Sequence, residues 1–187
     1  MNFSVQKRKV KIIFDQEDLK YRPIAKIDKR RLQQVLLNLL SNACKFQTEG
    51  IIHVKASISD VVSETVNETD KPSAMTGNEL LLKVSVCDEG IGIIPDKLSS
   101  IFEPFGQSSG TNQTAGNGVG LSICKRICEQ LQGSITVISH IGVGSKFSFT
   151  MRAYKAAESE LLGPNNSRKR KKSILQIIYE ESSNNSP

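Results

Sequence analysis

Polar side chains form one stripe along the strongest helical pattern in the chain. Gln34, Asn38 and Asn42 are spaced four apart and Lys45 follows at the next turn, so all four share one face of a helix. Asparagine is a poor helix former because its amide competes for backbone hydrogen bonds. Amide oxygens can ligate Mg²⁺ while a lysine contacts phosphate oxygens. A solvent-facing polar stripe is the alternative, and this helix by itself favours it.

A carboxylate and two glycines come directly after a predicted strand. Asp88, Gly90 and Gly92 stand in the run Asp-Glu-Gly-Ile-Gly-Ile. Glycines let the backbone approach a flat ligand closely, while the acid accepts a hydrogen bond from that ligand. An ordinary acidic turn has the same composition and is the alternative interpretation.

Glycines also open the second long helix predicted, at Gly116, Gly118 and Gly120. Backbone N–H groups at a helix start lie at the positive end of the helix dipole, which suits phosphates. The spacing is not the dinucleotide GxGxxG, and the sequence contains neither a GxxxxGK[ST] loop nor the Gly-rich, catalytic and DFG motifs of ordinary protein kinases. A glycine-rich connector is the alternative here.

Helices and strands must position these residues. Asp28 is the predicted N-cap of the first long helix, and Gly133 is the predicted terminator of the second, over residues 118–132. The pattern further predicts strands over 10–14, 23–27, 51–58, 80–87, 134–139 and 146–151, and a short helix over 95–101. We expect an α+β fold, a two-layer sandwich in which helices cover one face of a mixed or antiparallel sheet.

The 187 residues, 38% of them hydrophobic and 24% charged, fit one globular domain. We predict a domain over residues 1–154, a mobile polar insertion at about 59–79, and a polar, basic tail over 155–187. Aromatic residues make up only 5% and Trp is absent, so a nucleotide pocket here would be lined mainly by aliphatic side chains and backbone.

The four cysteines are predicted to be reduced and buried rather than to bind zinc, because the two histidines stand apart from them. No apolar run is long enough to span a bilayer, which predicts a cytoplasmic chain without a membrane segment. The net charge of +6 includes the run RKRKK at 168–172. It could attract nucleic acid or a nuclear import receptor, but solvated charge is the preferred interpretation, and no nucleic-acid partner is expected.

Five motifs follow one another along the chain, within a resemblance to a known family that covers about residues 10–151. They are NLLSNACKF at 38–46, DEGIGI at 88–93, IFEPF at 101–105, GVGL at 118–121 and GVGSKF at 142–147. Together they resemble the ATPase superfamily shared by gyrase, the heat-shock chaperone of the same fold, the mismatch-repair ATPase and the sensor histidine kinases. The resemblance implies the Bergerat-type ATP-binding fold, with ATP and Mg²⁺ as cofactors.

The resemblance also implies a role for each matching residue. Asn38 and Asn42 would hold Mg²⁺ against the phosphates, and Asn38 and Lys45 would act in catalysis, with Lys45 on the phosphates. Asp88 would accept a hydrogen bond from the adenine amino group, and Ser145 would reach the adenine side through water. The remaining nucleotide-binding positions would be Phe46, Gly90, Gly92, Ile93, Phe102, Phe105, Gly116, Gly118, Val119, Gly120 and Leu121, with a lid over 106–117.

The hydrolysing members of this superfamily generally carry a glutamate where this chain has Asn38, four residues before the metal-binding asparagine. An amide cannot act as a general base, so the γ-phosphate is left for another nucleophile. The motif at 101–105, with Glu103-Pro104 and the following Gln107, also resembles the phenylalanine box of histidine kinases, especially of the hybrid type. That resemblance implies transfer to a histidine on a dimerisation domain, followed by a response-regulator receiver domain. His53 and His140 do not match that acceptor, which predicts no autophosphorylation by this chain alone. A regulatory ATP-binding module without kinase activity, and an ATP hydrolase, are the alternatives.

Overall fold

The computed structural model describes residues 9–15, 25–61, 78–104 and 118–156. Three helices and six strands lie in these ranges. In chain order they are β1 (Lys9–Asp15), β2 (Ala25–Lys26), α1 (Lys29–Phe46), β3 (Glu49–Asp60), β4 (Glu79–Asp88), α2 (Pro95–Leu98), α3 (Gly120–Gln130), β5 (Ile135–His140) and β6 (Gly144–Lys155).

The six strands form one mixed sheet. Its order is β1-β3-β4-β6-β2, and β5 also pairs with β6. Only the β1–β3 pair is parallel, and the other pairs are antiparallel. The register places Val54 opposite Val86 and Val86 opposite Phe147, and all three are buried. These strands therefore turn one row of apolar side chains to a single core, and the α+β prediction is confirmed.

The first long helix, α1, covers this core. Asp28 caps it as predicted, since its side chain accepts a hydrogen bond from the backbone N–H of Arg31 at 3.0 Å. A cap of this kind satisfies one of the free N–H groups of the first turn. The leucine-rich face is buried against the sheet, through Leu32, Val35, Leu36, Leu39, Leu40 and Ala43. The polar stripe is thereby fixed on the other side of the helix.

The end of α3 differs from the prediction that Gly133 terminates it. Gln132 adopts the left-handed conformation, with φ at 52°. The N–H of Gly133 donates to Cys128 O at 2.9 Å and that of Gln132 donates to Glu129 O at 3.0 Å, which is the Schellman pattern of a helix end. Gly133 is required for another reason, because a Cβ there would collide with the carbonyl oxygen of Thr150.

Several predicted boundaries also shift. α3 begins at Gly120 rather than at residue 118, α2 ends at Leu98 rather than at residue 101, and β2 has two residues. β3 and β4 extend into the segment predicted as an insertion, and β6 continues through Lys155. The rest of that insertion, residues 62–77, and residues 157–187 lie outside the described residues.

All four cysteines are free, but only Cys124 and Cys128 are buried, and Cys44 and Cys87 are half-buried. Burial raises the pKa of both Cys124 and Cys128 to about 12. Across the described ranges, His, Cys, Asp and Glu side chains form no cluster that could hold a metal ion. None of the helices described is both long enough and apolar enough to cross a bilayer.

Candidate functional site

The two asparagines of the α1 stripe contact each other, and Asn38 also lies against the start of α3. The Asn42 amide nitrogen donates to the Asn38 amide oxygen at 3.3 Å. A Cβ on Gly120, the first residue of α3, would collide with the Asn38 amide nitrogen and lie 3.0 Å from its oxygen. The stripe is therefore not simply a solvent-facing surface, because Asn38 stands between the two helices. Gln34 belongs to the exposed part of the stripe and accepts a hydrogen bond from Arg31.

The last turn of α1 brings a cation and an aromatic ring beside each other. The Lys45 ammonium nitrogen lies 5.0 Å from the centre of the Phe46 ring, within the range of a cation–π contact. Both residues are half-buried. The Phe46 carbonyl oxygen accepts the backbone N–H of Ile91 at 3.4 Å, so the end of α1 touches the turn that carries Asp88.

This turn after β4 is packed against α1 through glycine. A Cβ on Gly90 would lie 2.6 Å from the Phe46 carbonyl oxygen and 2.9 Å from the Asp88 carboxylate. The Gly90 N–H donates to Asp88 Oδ1 at 3.0 Å. Any larger residue at position 90 would therefore separate the acid from the helix. Glycine thus allows a close approach between this turn and α1, and the predicted approach to a flat ligand stays a prediction.

Asp88 is held in a partly desolvated position. Burial raises the pKa of its carboxyl group above the usual 3.8, although hydrogen bonds from the backbone N–H groups of Gly90 and Ser145 act to lower it. A carboxyl group whose pKa is raised by burial at a strand end is a candidate functional group.

We expect Asp88→Asn to leave the ligand-free protein at least as stable as the wild type at pH 7. A carboxyl whose pKa is raised on folding stabilises the fold fully below its unfolded pKa and loses that contribution as the pH rises through its folded pKa. The amide removes this loss, and its oxygen can still accept the Gly90 N–H. Urea unfolding at pH 7 and at pH 4 measures the effect. A variant that is less stable at pH 7 and recovers at pH 4 would contradict it.

The β5–β6 hairpin closes the other side of the turn. Gly92 has φ at 72°, and a Cβ there would collide with the His140 carbonyl oxygen. A Cβ on Gly144 would likewise collide with the carbonyl oxygen of Asp88. The buried Ser145 hydroxyl lies 3.0 Å from the Ser139 hydroxyl, and the Ser139 hydroxyl accepts the Ile93 N–H at 2.9 Å. The hairpin thus fixes Gly92 and Ile93 beside Asp88.

The remaining predicted residues lie around this centre or outside the described residues. Phe102 stacks edge-on against the core residue Phe147, with ring centres 6.5 Å apart. Leu121 is buried in the core, and Gly118 has φ at 64° just before α3. Val119 accepts the Ile123 N–H through its carbonyl and so opens the helix. Phe105, Gly116 and the predicted lid over 106–117 lie outside the described residues.

Two buried polar residues of the site were missed by the sequence analysis. Gln47 is only 2% exposed and hydrogen-bonds to both β3 and the turn after β4. Ser139 is 8% exposed, and its hydroxyl donates to Gly144 O at 2.9 Å. A glutamine at the end of a helix is ordinarily expected to be exposed to solvent, and serine is common on strands. Neither residue therefore carried a signal in the sequence. The histidines are both exposed, and His140 is the last residue of β5.

Two sets of contacts lie along α1. Gly120 touches Asn38, Asn38 bonds to Asn42, and one turn later Phe46 touches Gly90, which binds Asp88. The amides, the acid and the glycine-lined helix start therefore border the same side of α1. Neutral amide oxygens beside a helix N-terminus suit a hard cation together with phosphate oxygens.

Comparison with known proteins shows the family of this chain. Residues 27–155 match the family described as histidine kinase-, DNA gyrase B-, and HSP90-like ATPase. Sensor protein EvgS of Escherichia coli strain K12 is 33% identical over 128 residues, which are 68% of this chain and 10% of EvgS. Hybrid signal transduction histidine kinase A of Dictyostelium discoideum is 43% identical over 124 residues, 64% of this chain and 5% of that protein. The chain thus spans a tenth or less of either relative.

Solved structures show the same fold. Full-length ShkA in complex with AMPPNP is 30% identical, with a TM-score of 0.58, and the match covers 80% of this chain and 27% of ShkA. The mycobacterial sensor histidine kinase MprB is 18% identical with a TM-score of 0.50, covering 79% of this chain and 83% of that one, and shares the fold. This chain belongs to the histidine kinase-, DNA gyrase B-, and HSP90-like ATPase family, and its resemblance is to the catalytic domains of the sensor histidine kinases.

Proposed function

We propose that this chain binds Mg-ATP beside the polar stripe of α1 and donates the γ-phosphate to a histidine on a separate dimerisation domain, in a phosphorelay. The contacts of Asn38 with Gly120 and Asn42, and those of Gly90 with Phe46 and Asp88, support it. The AMPPNP in the ShkA structure shows that a related protein takes an ATP analogue. A response-regulator receiver domain would accept the phosphate next.

In this proposal each part of the site has one task. Asp88 accepts a hydrogen bond from the adenine amino group, Phe46 lies beside the base, and Ser145 reaches the base through water. Asn38 and Asn42 hold Mg²⁺, and Lys45 contacts the phosphates. The start of α3, with Gly118 and Gly120, faces the triphosphate, where its dipole stabilises negative charge. Positioning and charge neutralisation then supply most of the catalysis, as is general for phosphoryl transfer.

The single observation that favours transfer over hydrolysis is the amide at Asn38. It contacts Gly120 and Asn42, the neighbourhood in which a hydrolase would need a general base. An amide cannot take a proton from water there. The four free cysteines fit a reducing compartment, and we place the reaction in the cytoplasm. We assign the ATP-binding domain to residues 1–154 and a separate polar, basic segment to 155–187.

A transfer assay tests this function. The chain is incubated with Mg²⁺ and γ-labelled ATP, alone and with the dimerisation domain of a related histidine kinase. We expect label on the added domain and none on the chain itself. The control is the same domain with its acceptor histidine replaced by glutamine, which should stay unlabelled. ATP binding without transfer would favour a regulatory module, and steady phosphate release would favour a hydrolase.

A further inference from the structure

Gln47 is a buried polar side chain directly after the last residue of α1. It is 2% exposed, and its backbone N–H donates to Ala43 O at 3.0 Å, which ties it to the final turn of the helix. A buried amide needs partners, because an unpaired one costs about 1–3 kcal/mol. The hydrogen-bond partners of Gln47 therefore indicate its role.

Both ends of the Gln47 amide are engaged. The nitrogen donates to Glu49 O at 2.9 Å and to Ile51 O at 3.3 Å, at the start of β3. The oxygen accepts the N–H of Glu89 at 3.0 Å, in the turn after β4. One side chain thus connects the end of α1, the first residues of β3 and the residue next to Asp88.

Three successive N–H groups of that turn have fixed partners. Glu89 N–H is bound by Gln47, Gly90 N–H by Asp88 itself, and Ile91 N–H by the Phe46 carbonyl. Two of the three partners belong to the end of α1. The Asp88 carboxylate also accepts the N–H of Ser145. The peptide that Gln47 holds lies between Asp88 and Gly90, so Gln47 helps to fix the direction of this carboxylate.

We propose that Gln47 is a positioning residue for base recognition, which aims the Asp88 carboxylate at the adenine amino group and so sets the preference for ATP over GTP. This inference rests on the proposed function. Guanine carries a carbonyl where adenine carries its amino group, so a fixed carboxylate attracts one base and repels the other. A carboxylate free to turn away discriminates less.

Gln47→Met tests this role, since methionine keeps the length of the side chain but cannot accept the Glu89 N–H. We expect the ratio of GTP to ATP dissociation constants to fall by about tenfold, mainly through weaker ATP binding. A general loss of structure would weaken both nucleotides equally and leave the ratio unchanged. Thr48→Ala, at the exposed neighbouring position, is the matched control and should keep the wild-type ratio.

A second measurement uses the wild-type chain and does not depend on whether the variant folds. The side-chain NH₂ resonances of Gln47 should be protected from solvent exchange and should shift on titration with adenosine, but not with tripolyphosphate. An unchanged ratio in a folded Gln47→Met, or no shift with adenosine while adenosine binds, overturns the inference and leaves the proposed function standing. If the wild type binds neither ATP nor GTP, the inference and the proposed function are both contradicted.

Discussion

Asn42→Ala is expected to abolish the dependence of ATP affinity on Mg²⁺. The variant removes one of two amide oxygens proposed to hold the ion, and the remaining Asn38 loses its hydrogen-bond partner. We expect ATP affinity in the presence of Mg²⁺ to fall by about 100-fold, equivalent to about 2.7 kcal/mol. Isothermal titration with and without Mg²⁺ measures it, and affinity in the absence of the ion should change little.

The fold should tolerate this substitution, because alanine is the better helix former. Thermal unfolding should therefore show an equal or higher midpoint for the variant. Ser41→Ala is the matched control, because Ser41 is the exposed neighbour of Asn42 on the same helix. This variant should bind Mg-ATP as the wild type does. Magnesium-dependent affinity that survives in a folded Asn42→Ala would show that the ion is held elsewhere.

Gly92→Ala is expected to destabilise the domain far more than Gly142→Ala. The two glycines have nearly the same φ, 72° and 74°. In each variant the alanine must therefore adopt the left-handed conformation, which costs about 1–2 kcal/mol. A Cβ on Gly92 would also collide with the backbone of His140 and lie 2.9 Å from Ile141 Cα, whereas one on Gly142 meets nothing within 4 Å. We expect the difference in free energy of unfolding to be at least about 2 kcal/mol.

Urea denaturation of both variants checks this difference. Gly142→Ala serves as the internal control for backbone strain, and only the contact with the hairpin distinguishes the two. Equal destabilisation would mean that the turn after β4 can move away from the β5–β6 hairpin. In that case the hairpin could not fix Gly92 and Ile93 beside Asp88, and the geometry of the site would depend on α1 alone.

The helices and most strands could be predicted because their signals are local. The spacing of the leucines fixes the buried face of α1, and Asp28 has the chemistry of an N-cap whatever the rest of the chain does. The end of α3 shows the limit of local rules. Glycine usually takes the left-handed position, but here Gln132 takes it. Gly133 is needed because a Cβ there would collide with the backbone of Thr150, seventeen residues further along the chain.

The site itself was predictable in part. The polar stripe and the two glycine motifs are visible because each has an unusual composition at a definite spacing. That Asn38 stands against Gly120 could not be read, since it depends on how α1 and α3 pack on one sheet. Gln47 was out of reach for the same reason, because its function lies entirely in its long-range partner at Glu89.

The hairpin between β3 and β4 has a consequence for how this domain can vary. Its strands separate at Asp60 and Leu80, and Leu80 stands eight positions before Asp88 on the same strand, a distance of about 26 Å at 3.3 Å per residue. A reporter genetically inserted between Val61 and Asn78 would therefore be attached far from Asp88 along β4, and we expect it to leave the contacts of Asn38 with Gly120 and of Gly90 with Asp88 unchanged.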